Sequence, residues 1–262
     1  MAVTEENIPY RDLFSLEGKA AVVTGASGGI GRAIAVALAV HGADILAAGR
    51  NMEKTGETAR MAAATGKKAV PFQLEITSKT SAERMADTAL KEFGRIDILV
   101  NSAGMNIRKQ VLEITDEDWD PVLEVNLKGV LYCCQAVGRI MVERRAGKII
   151  NISSISSRLG HPARAAYAAS KGGLIQLTRV MATEWAPYNI CVNAISPSAV
   201  DTPFIDGLKK NRQRLDRELE RIPLGRIGTP EDVAGAAVFL SSKAADFITG
   251  HNLFIDGGRT VD

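Results

Sequence analysis

A tyrosine and a lysine four positions apart, Tyr167 and Lys171, form the pattern with the clearest chemical potential in this sequence. In a helix both side chains lie on one face, one turn apart. A phenol is a weak acid with a pKa near ~10 in water, and a neighbouring cation favours its ionised form. The pair therefore predicts a group that exchanges a proton with a substrate near neutral pH. Alone, the same spacing occurs often by chance, and an ordinary amphipathic helix is its commoner meaning.

A hydroxyl group is expected beside this pair. Residues 148–152, three of which are isoleucines, indicate a buried strand, and Ser153 and Ser154 follow it directly. Because a strand and the next helix of a parallel sheet meet at the carboxyl edge of that sheet, Ser154, Tyr167 and Lys171 are predicted to converge there.

A glycine-rich loop lies near the start of the chain. Residues 19–24 are continuously apolar, as in a strand buried on both faces, and residues 32–41 form a helical pattern. Between them stands Gly25-Ala26-Ser27-Gly28-Gly29-Ile30-Gly31. Strand, glycine loop and helix in this order predict the first half of a dinucleotide-binding unit, in which the helix N-terminus holds a pyrophosphate.

The end of the second predicted strand indicates which dinucleotide binds. Residues 44–48 are followed by Gly49-Arg50-Asn51, at the position where this type of unit contacts the adenosine ribose. A carboxylate at that point would favour NAD, whereas the guanidinium of Arg50 suits a 2′-phosphate. We therefore predict NADP(H) as the cofactor; the alternative is that Arg50 is a solvated surface arginine.

The rest of the chain alternates between strand and helix patterns. Strands are predicted at residues 19–24, 44–48, 68–74, 96–100, 147–153, 190–195 and 253–255, and helices at 32–41, 55–64, 78–93, 121–145, 165–185 and 230–240. Pro121 is placed in the first turn of its helix. Seven strands alternating with about six helices predict an α/β protein with a doubly wound parallel sheet and helices on both faces. We expect a loose arm at 1–17, a single domain at 18–262, and a charged helical insertion at 203–221.

Composition excludes several other classes. The chain has 262 residues, 46% of them hydrophobic, and a formal net charge of +2. It shows no basic stripe typical of nucleic-acid binding, no apolar run near the ~18 residues of a membrane span, and no signal-peptide core. The three cysteines lack the spacing of a disulfide or metal site. We expect a soluble, cytoplasmic protein with buried thiols and no metal.

Together these motifs resemble those of the short-chain dehydrogenase/reductase family over essentially the whole chain. The loop from Thr24 to Gly31 is similar to its cofactor loop, Asn101-Ser102-Ala103-Gly104 to its N-N-A-G element, and Asn126 to its catalytic asparagine. Ser154, Tyr167 and Lys171 match its catalytic trio. The resemblance implies a Rossmann fold and hydride transfer between nicotinamide and a secondary alcohol or ketone.

Family roles follow for the matching positions. Tyr167 would exchange the proton, Lys171 would lower the tyrosine pKa and hold the nicotinamide ribose, Ser154 would bond the reacting oxygen, and Asn126 would orient a relay water. The cofactor-binding residues implied are Gly25, Ser27, Gly28, Gly29, Ile30, Gly31, Arg50, Glu75, Ile76, Asn101, Ala103, Gly104, Tyr167, Lys171, Pro197, Val200 and Thr202. Two positions depart from the family pattern: Glu75 replaces its usual aspartate and Ser198 its usual glycine.

Several stretches, including residues 12–19, 142–148 and 250–258, are similar to gluconate 5-dehydrogenases. This similarity implies a sugar acid or polyol substrate, a carboxylate partner for Arg108, and a homotetramer. Ser156, Arg158 and His161 lie in the loop expected to border the substrate, and residues 203–221 are expected either to cover it as a lid or to form a plain solvated face. Two alternatives remain open: a 3-oxoacyl-thioester reductase, which shares the catalytic motifs, and a non-catalytic NADP-binding sensor.

Overall fold

The computed structural model describes Tyr10 and residues 12–261. Seven strands form one parallel sheet in the order β3-β2-β1-β4-β5-β6-β7. The strands are β1 (Ala20–Thr24), β2 (Asp44–Gly49), β3 (Ala69–Gln73), β4 (Ile98–Asn101), β5 (Gly147–Ile152), β6 (Ile190–Pro197) and β7 (Asn252–Ile255). The predicted doubly wound parallel sheet is confirmed.

The helices follow the predicted alternation. They are α1 (Gly29–Val40), α2 (Met52–Ala63), α3 (Lys79–Phe93), α4 (Asp116–Leu123), α5 (Gly129–Arg144), α6 (Ala165–Trp185), α7 (Asp206–Lys209), α8 (Arg212–Leu219) and α9 (Pro230–Ser241). Within the described part of the chain, no helix combines the length and the hydrophobicity needed to cross a bilayer.

The sheet separates two hydrophobic cores. Side chains of a strand point alternately to its two faces, so Ala21 and Val23 of β1 enter one core and Val22 enters the other. Helices α1 and α9 cover the first core, and α3 and α5 cover the second. Both faces of β1 are therefore buried, as its continuous apolar run predicts.

The strand order reverses at β1, which pairs with β2 on one side and with β4 on the other. Connections to the two neighbours leave in opposite directions, so a crevice opens at the carboxyl ends of these strands. This crevice is where the predicted functional residues meet.

The predicted loose arm is wrong for the part of it that the structure describes. Leu16 is only 1% exposed and belongs to the first core, and the Phe14 ring lies 6.4 Å from that of Phe239 in α9. Residues 12–17 therefore pack against the domain; residues 1–9 and 11 lie outside the described residues.

The predicted start of the long helix is also wrong. Helix α4 begins at Asp116, after Thr115, whose N–H donates to the Asp118 carboxylate at 3.3 Å. Pro121 consequently lies inside α4, not at its first turn. A π-helical segment, Glu124–Lys128, then joins α4 to α5. Such single π turns within helices frequently lie at functional sites, and this one contains Asn126.

Candidate active site

A cavity of about 830 Å³ lies at the carboxyl edge of the sheet. Its wall is built by the segments that follow β1 to β6, together with residues from α6, α7 and α8. Side chains distant in sequence therefore face one space, and the cavity has two chemically different ends.

The glycine loop forms one wall. A Cβ on Gly25 would lie 2.6 Å from the Ala103 nitrogen, and a Cβ on Gly31 would lie 2.3 Å from the Gly25 carbonyl oxygen. Gly25 also has a φ of 69°, a conformation that favours glycine. The loop is thus folded tightly against the segment after β4, and the first turn of α1 presents its N–H groups to the cavity. This arrangement fits a pyrophosphate group.

The far end of this wall is positively charged. Arg50 and Lys54 line it beside Ser27, and neither cation forms an ion pair with a carboxylate of the described residues. Lys54 is a cation that the sequence analysis missed. Two cations and a hydroxyl suit a phosphate group, as predicted from Arg50 alone.

Glu75 faces the same part of the cavity. Its carboxylate accepts hydrogen bonds from the Thr77 hydroxyl at 2.7 Å and the Thr77 N–H at 3.3 Å. These bonds hold the pKa of Glu75 below its usual value, and the charge of Arg50 adds to the effect. Glu75 is therefore an ionised acceptor beside the cavity.

The predicted cofactor residues line this one cavity, with Asn101 as the exception. Asn101 is 1% exposed, and its side-chain amide donates to Asn151 at 2.9 Å and lies 3.3 Å from the Cys134 sulfur. Asn101 is the last residue of β4 and its side chain points into the protein, so its predicted part in cofactor binding stays a prediction that its side chain does not support.

Ser154, Tyr167 and Lys171 all face the cavity and are each less than 10% exposed. Lys171 donates to the Ile152 carbonyl at 2.8 Å, and its Nζ lies 5.7 Å from the centre of the Tyr167 ring. The end of β5 and one face of α6 thus bring a hydroxyl, a phenol and an amine into one space.

The ionisation of the tyrosine and the lysine differs from the expected pattern. Burial raises the pKa of Tyr167, and the neighbouring Ser154 hydroxyl and Arg164 charge only partly oppose this rise. Burial lowers the pKa of Lys171 to about 8. Burial disfavours both charged forms, and the predicted effect of Lys171 on the tyrosine pKa stays a prediction.

Asn126 lies behind the cavity wall. Its amide oxygen accepts from the Met105 N–H at 2.8 Å, and its amide nitrogen donates to the Met105 carbonyl at 2.9 Å and to Ser170 Oγ at 3.1 Å. These bonds fix the Met105 segment, which does line the cavity. The proposed relay water on Asn126 stays a prediction.

The four predicted substrate residues separate into two pairs. Arg108 and His161 line the cavity. Ser156 is buried outside the wall, and its hydroxyl lies 3.2 Å from Nδ1 of His161. Arg158 occupies a separate depression, with its guanidinium 5.7 Å from the centre of the Phe254 ring. The placement of Ser156 and Arg158 against the substrate is therefore wrong.

Sequence reasoning missed other residues at this end of the cavity. Phe204 packs near Tyr167, with ring centres 6.0 Å apart, and charged side chains reach the wall from the residue before α6, from α8 and from the segment after α8. They are Arg164, Arg214, Arg217, Glu218 and Arg221. Arg164 carried a usable signal, because it precedes Tyr167 by three positions and shares its helix face.

Comparisons with known proteins agree with this geometry. The sequence model of a family described as Enoyl-(Acyl carrier protein) reductase matches residues 25–260. The chain is 42% identical to a 2-dehydro-3-deoxy-D-gluconate 5-dehydrogenase of Escherichia coli, over 94% of this chain and 96% of that protein. It is 38% identical to a 3-oxoacyl-(acyl-carrier-protein) reductase of Thermotoga maritima, over 94% of this chain and 99% of that protein.

A solved structure is equally similar. The crystal structure of a gluconate 5-dehydrogenase from Burkholderia cenocepacia, in complex with NADP and tartrate, superposes with a TM-score of 0.92 at 39% identity, covering 96% of this chain and 98% of that chain. A family model that matches residues 25–260 and relatives that are 39–42% identical over nearly the full chain agree with the parallel sheet, and on these grounds the protein belongs to the short-chain dehydrogenase/reductase family.

Proposed function

We propose that this protein is an NADP(H)-dependent oxidoreductase that interconverts a secondary alcohol and a ketone on a sugar acid of the gluconate and 5-ketogluconate kind. One observation carries the proposal: Ser154, Tyr167 and Lys171 share a cavity with a glycine wall at one end and unneutralised arginines at the other. The first end suits a dinucleotide and the second an anionic substrate.

The residues of the glycine wall fit the cofactor. The wall has no room for a Cβ at Gly25 or Gly31, and Arg50 and Lys54 supply the charge that a 2′-phosphate needs. Bound NADP(H) supplies or accepts the hydride that the reaction moves. The bound NADP of the Burkholderia relative supports this assignment.

The proton chemistry is assigned to the buried trio. Its raised pKa keeps Tyr167 protonated at neutral pH, so the phenol donates its proton to the oxygen of the substrate ketone as that oxygen gains charge. The Ser154 hydroxyl donates a hydrogen bond to the same oxygen. Lys171 holds an ammonium beside the phenol up to a pH of about 8, and in oxidation this charge favours loss of the tyrosine proton.

Asn126 is proposed to connect this trio to further proton carriers. A Cβ on Gly104 would lie 3.4 Å from the Asn126 amide oxygen and 3.7 Å from Lys171 Nζ, so both polar atoms border the same small space. A water bound there would receive a hydrogen bond from Lys171 and donate one to Asn126.

The substrate assignment has two supports. Relatives at about 40% identity act on gluconate-type acids, among them a 5-keto-D-gluconate 5-reductase of Escherichia coli at 41%. Arg108 on the cavity wall supplies a cation for the acid group.

We further propose that residues 203–221 act as a lid over the substrate and that residues 18–262 form one NADP-binding domain. We also propose that the protein works as a homotetramer in the cytoplasm. Its three free cysteines suit the reducing conditions of that compartment.

The similarity to the Thermotoga enzyme favours one second candidate, a 3-oxoacyl-thioester reductase. The sensor alternative is weaker, because the full trio is present and faces the cavity.

A substrate panel separates these functions. NADPH absorbance would be followed with 5-ketogluconate, neutral ketoses, and acetoacetyl thioesters, and the reverse reaction with gluconate and polyols. We expect turnover of 5-ketogluconate. Turnover of thioesters alone would select the second candidate, and NADPH binding without turnover of any compound would select a sensor.

A further inference from the structure

Three arginines from three separate elements meet at the substrate end of the cavity. Arg108 comes from the loop after β4, Arg164 precedes α6 and Arg214 belongs to α8. Among the residues that the structure describes, none of the three has a carboxylate oxygen within the 4.0 Å of an ion pair. The carboxylate of Glu218 also lines this end. It lies 3.7 Å from Nε of a further arginine, Arg259, so its negative charge is not available to the three arginines alone.

The three charges act on one another. Burial and the charges of Arg164 and Arg214 lower the pKa of Arg108, with Glu218 acting in the opposite direction. Like charges held together in a partly desolvated cavity repel, and this repulsion costs stability until an anion enters.

Arg164 is placed where its residue type is locally unfavourable. It is the N-cap of α6 and makes no side-chain capping hydrogen bond, although this position favours serine, threonine, aspartate or asparagine. A cation there also faces the positive end of the helix dipole. The preceding Ala163 has a φ of 60°, a left-handed conformation that is unfavourable for a non-glycine residue.

Local features that oppose stability and occur together indicate a functional position. The left-handed Ala163 turns the chain into α6 one turn before Tyr167, and Arg164 is only half-buried beside the cavity. Its charge acts on three neighbours: burial raises the pKa of Tyr167 and Arg164 opposes this rise, whereas burial lowers the pKa of Arg108 and of His161 and Arg164 adds to that fall. Arg164 therefore lines the same cavity as the proton donor and the other arginines, near enough for its charge to act on Tyr167 and Arg108.

We infer that Arg164 joins Arg108 and Arg214 in binding the acid group of the substrate, and that this contact sets the position of the reacting carbonyl relative to Tyr167. The inference rests on the proposed function and assigns its substrate specificity to residues outside the catalytic trio. A carboxylate accepts paired hydrogen bonds from one guanidinium and single bonds from others, so three arginines suit one such group. Because Arg214 belongs to the 203–221 segment, the same anion links that segment to α6.

The test compares Arg164→Gln with Arg179→Gln. Arg179 lies on the same helix, is exposed and lies outside the cavity, so its variant controls for loss of a positive charge on α6. Calorimetry would measure binding of D-gluconate to the NADPH-saturated protein, a combination in which both ligands are reduced and no turnover occurs. We expect Arg164→Gln to weaken gluconate binding about ten- to hundred-fold, Arg164→Lys to weaken it less, and Arg179→Gln to leave it unchanged.

Two further readouts exclude a merely structural effect. The NADPH dissociation constant should be the same in all variants. For 5-ketogluconate reduction, Arg164→Gln should raise KM by the same ten- to hundred-fold, with a smaller change in kcat.

The inference is overturned if wild-type protein does not bind gluconate, if Arg164→Gln binds it as tightly as wild type, or if NADPH affinity falls by the same factor as gluconate affinity. Failure of the proposed function has a different signature. In that case wild-type protein binds gluconate through Arg164 but does not reduce 5-ketogluconate with NADPH.

Discussion

The two ends of the cavity are built by different means. At the cofactor end the backbone forms the wall, and a Cβ on Gly31 would lie 2.3 Å from a carbonyl oxygen. At the substrate end side chains form the wall, and they come from α6, α8 and the loops after β4 and β5. A backbone wall fits a ligand part that is always the same, such as a pyrophosphate, whereas a side-chain wall can change with substrate at little cost to the fold.

The trio between the two ends should show the largest effect. Tyr167→Phe removes the proton donor while keeping the buried ring, so kcat should fall by at least about 10²–10⁴. The measurement is steady-state reduction of 5-ketogluconate, with NADPH binding as the control that the cavity is intact. Turnover near the wild-type rate would remove Tyr167 from the mechanism and leave the two ends without a shared chemical centre.

A matched glycine pair tests whether the cofactor end is a backbone wall. Gly31 in α1 and Gly235 in α9 are both helical, but a Cβ on Gly235 would meet no atom within 4 Å. Gly31→Ala should destabilise the protein by about 1–3 kcal/mol, because backbone atoms must move. Gly235→Ala should stabilise it by about 0.5–1 kcal/mol, as expected for alanine in a helix. Urea unfolding measures both, and equal effects would contradict the tight loop.

Arg50 tests the charge at the far edge of the cofactor end. Arg50→Ala should weaken NADPH binding about ten- to hundred-fold, because a charge-assisted contact to the 2′-phosphate is lost, and should change NADH binding little. Fluorescence titration with the two cofactors measures the difference. If both affinities fell by the same factor, the phosphate contact would have to be assigned elsewhere, first to Lys54.

Substitution of Lys171 should have the smallest effect, and it should raise the free energy of unfolding instead of lowering it. A fall of its pKa from 10.5 to about 8 means that the folded protein holds the charged form at a cost of about 3 kcal/mol. Lys171→Met removes this cost but also removes the hydrogen bond to Ile152, worth about 1 kcal/mol. The ligand-free variant should therefore be about 1–2 kcal/mol more stable at pH 7, though inactive.

The difference in stability between Lys171→Met and the wild type should depend on pH. Between pH 8 and 10.5 the unfolded wild-type chain binds more protons at Lys171 than the folded protein does, so wild-type stability rises with pH in this window. The advantage of Lys171→Met should be complete below pH 8 and disappear as the pH approaches 10.5. Urea unfolding at pH 7 and pH 10 measures it, and a less stable variant at pH 7 would show that the ammonium stabilises the fold.

Local patterns were sufficient for much of the site. The i, i+4 spacing of Tyr167 and Lys171 places them on one face of any helix, and the predicted bounds of α6 agree with the structure. The glycine loop and Arg50 were predictable because strand, turn and helix follow one another directly. Their positions depend on the geometry of a single βαβ unit and not on distant contacts.

Long-range contacts decided what these patterns did not predict. Asn101 satisfies a family motif, yet the pairing of β4 with β5 places its amide against Asn151 inside the protein. The start of α4, by contrast, depended on a local signal that was overlooked: Pro121 suited a helix start by residue type, but Thr115 and the acidic turn after it begin the helix earlier.

The contrast between Arg158 and Arg164 shows what could not be predicted from the sequence. The sequence determined the fold class, the cofactor end and the catalytic trio, because hydrophobic periodicity and short motifs act within one or two elements. Both arginines stand in the same loop, and although Arg164 precedes Tyr167 by three positions, this spacing does not show which of the two side chains reaches the substrate end of the cavity. Only the tertiary structure decides that Arg158 lies over Phe254 and Arg164 at the cavity, since the left-handed turn at Ala163 and the packing of α8 set their directions.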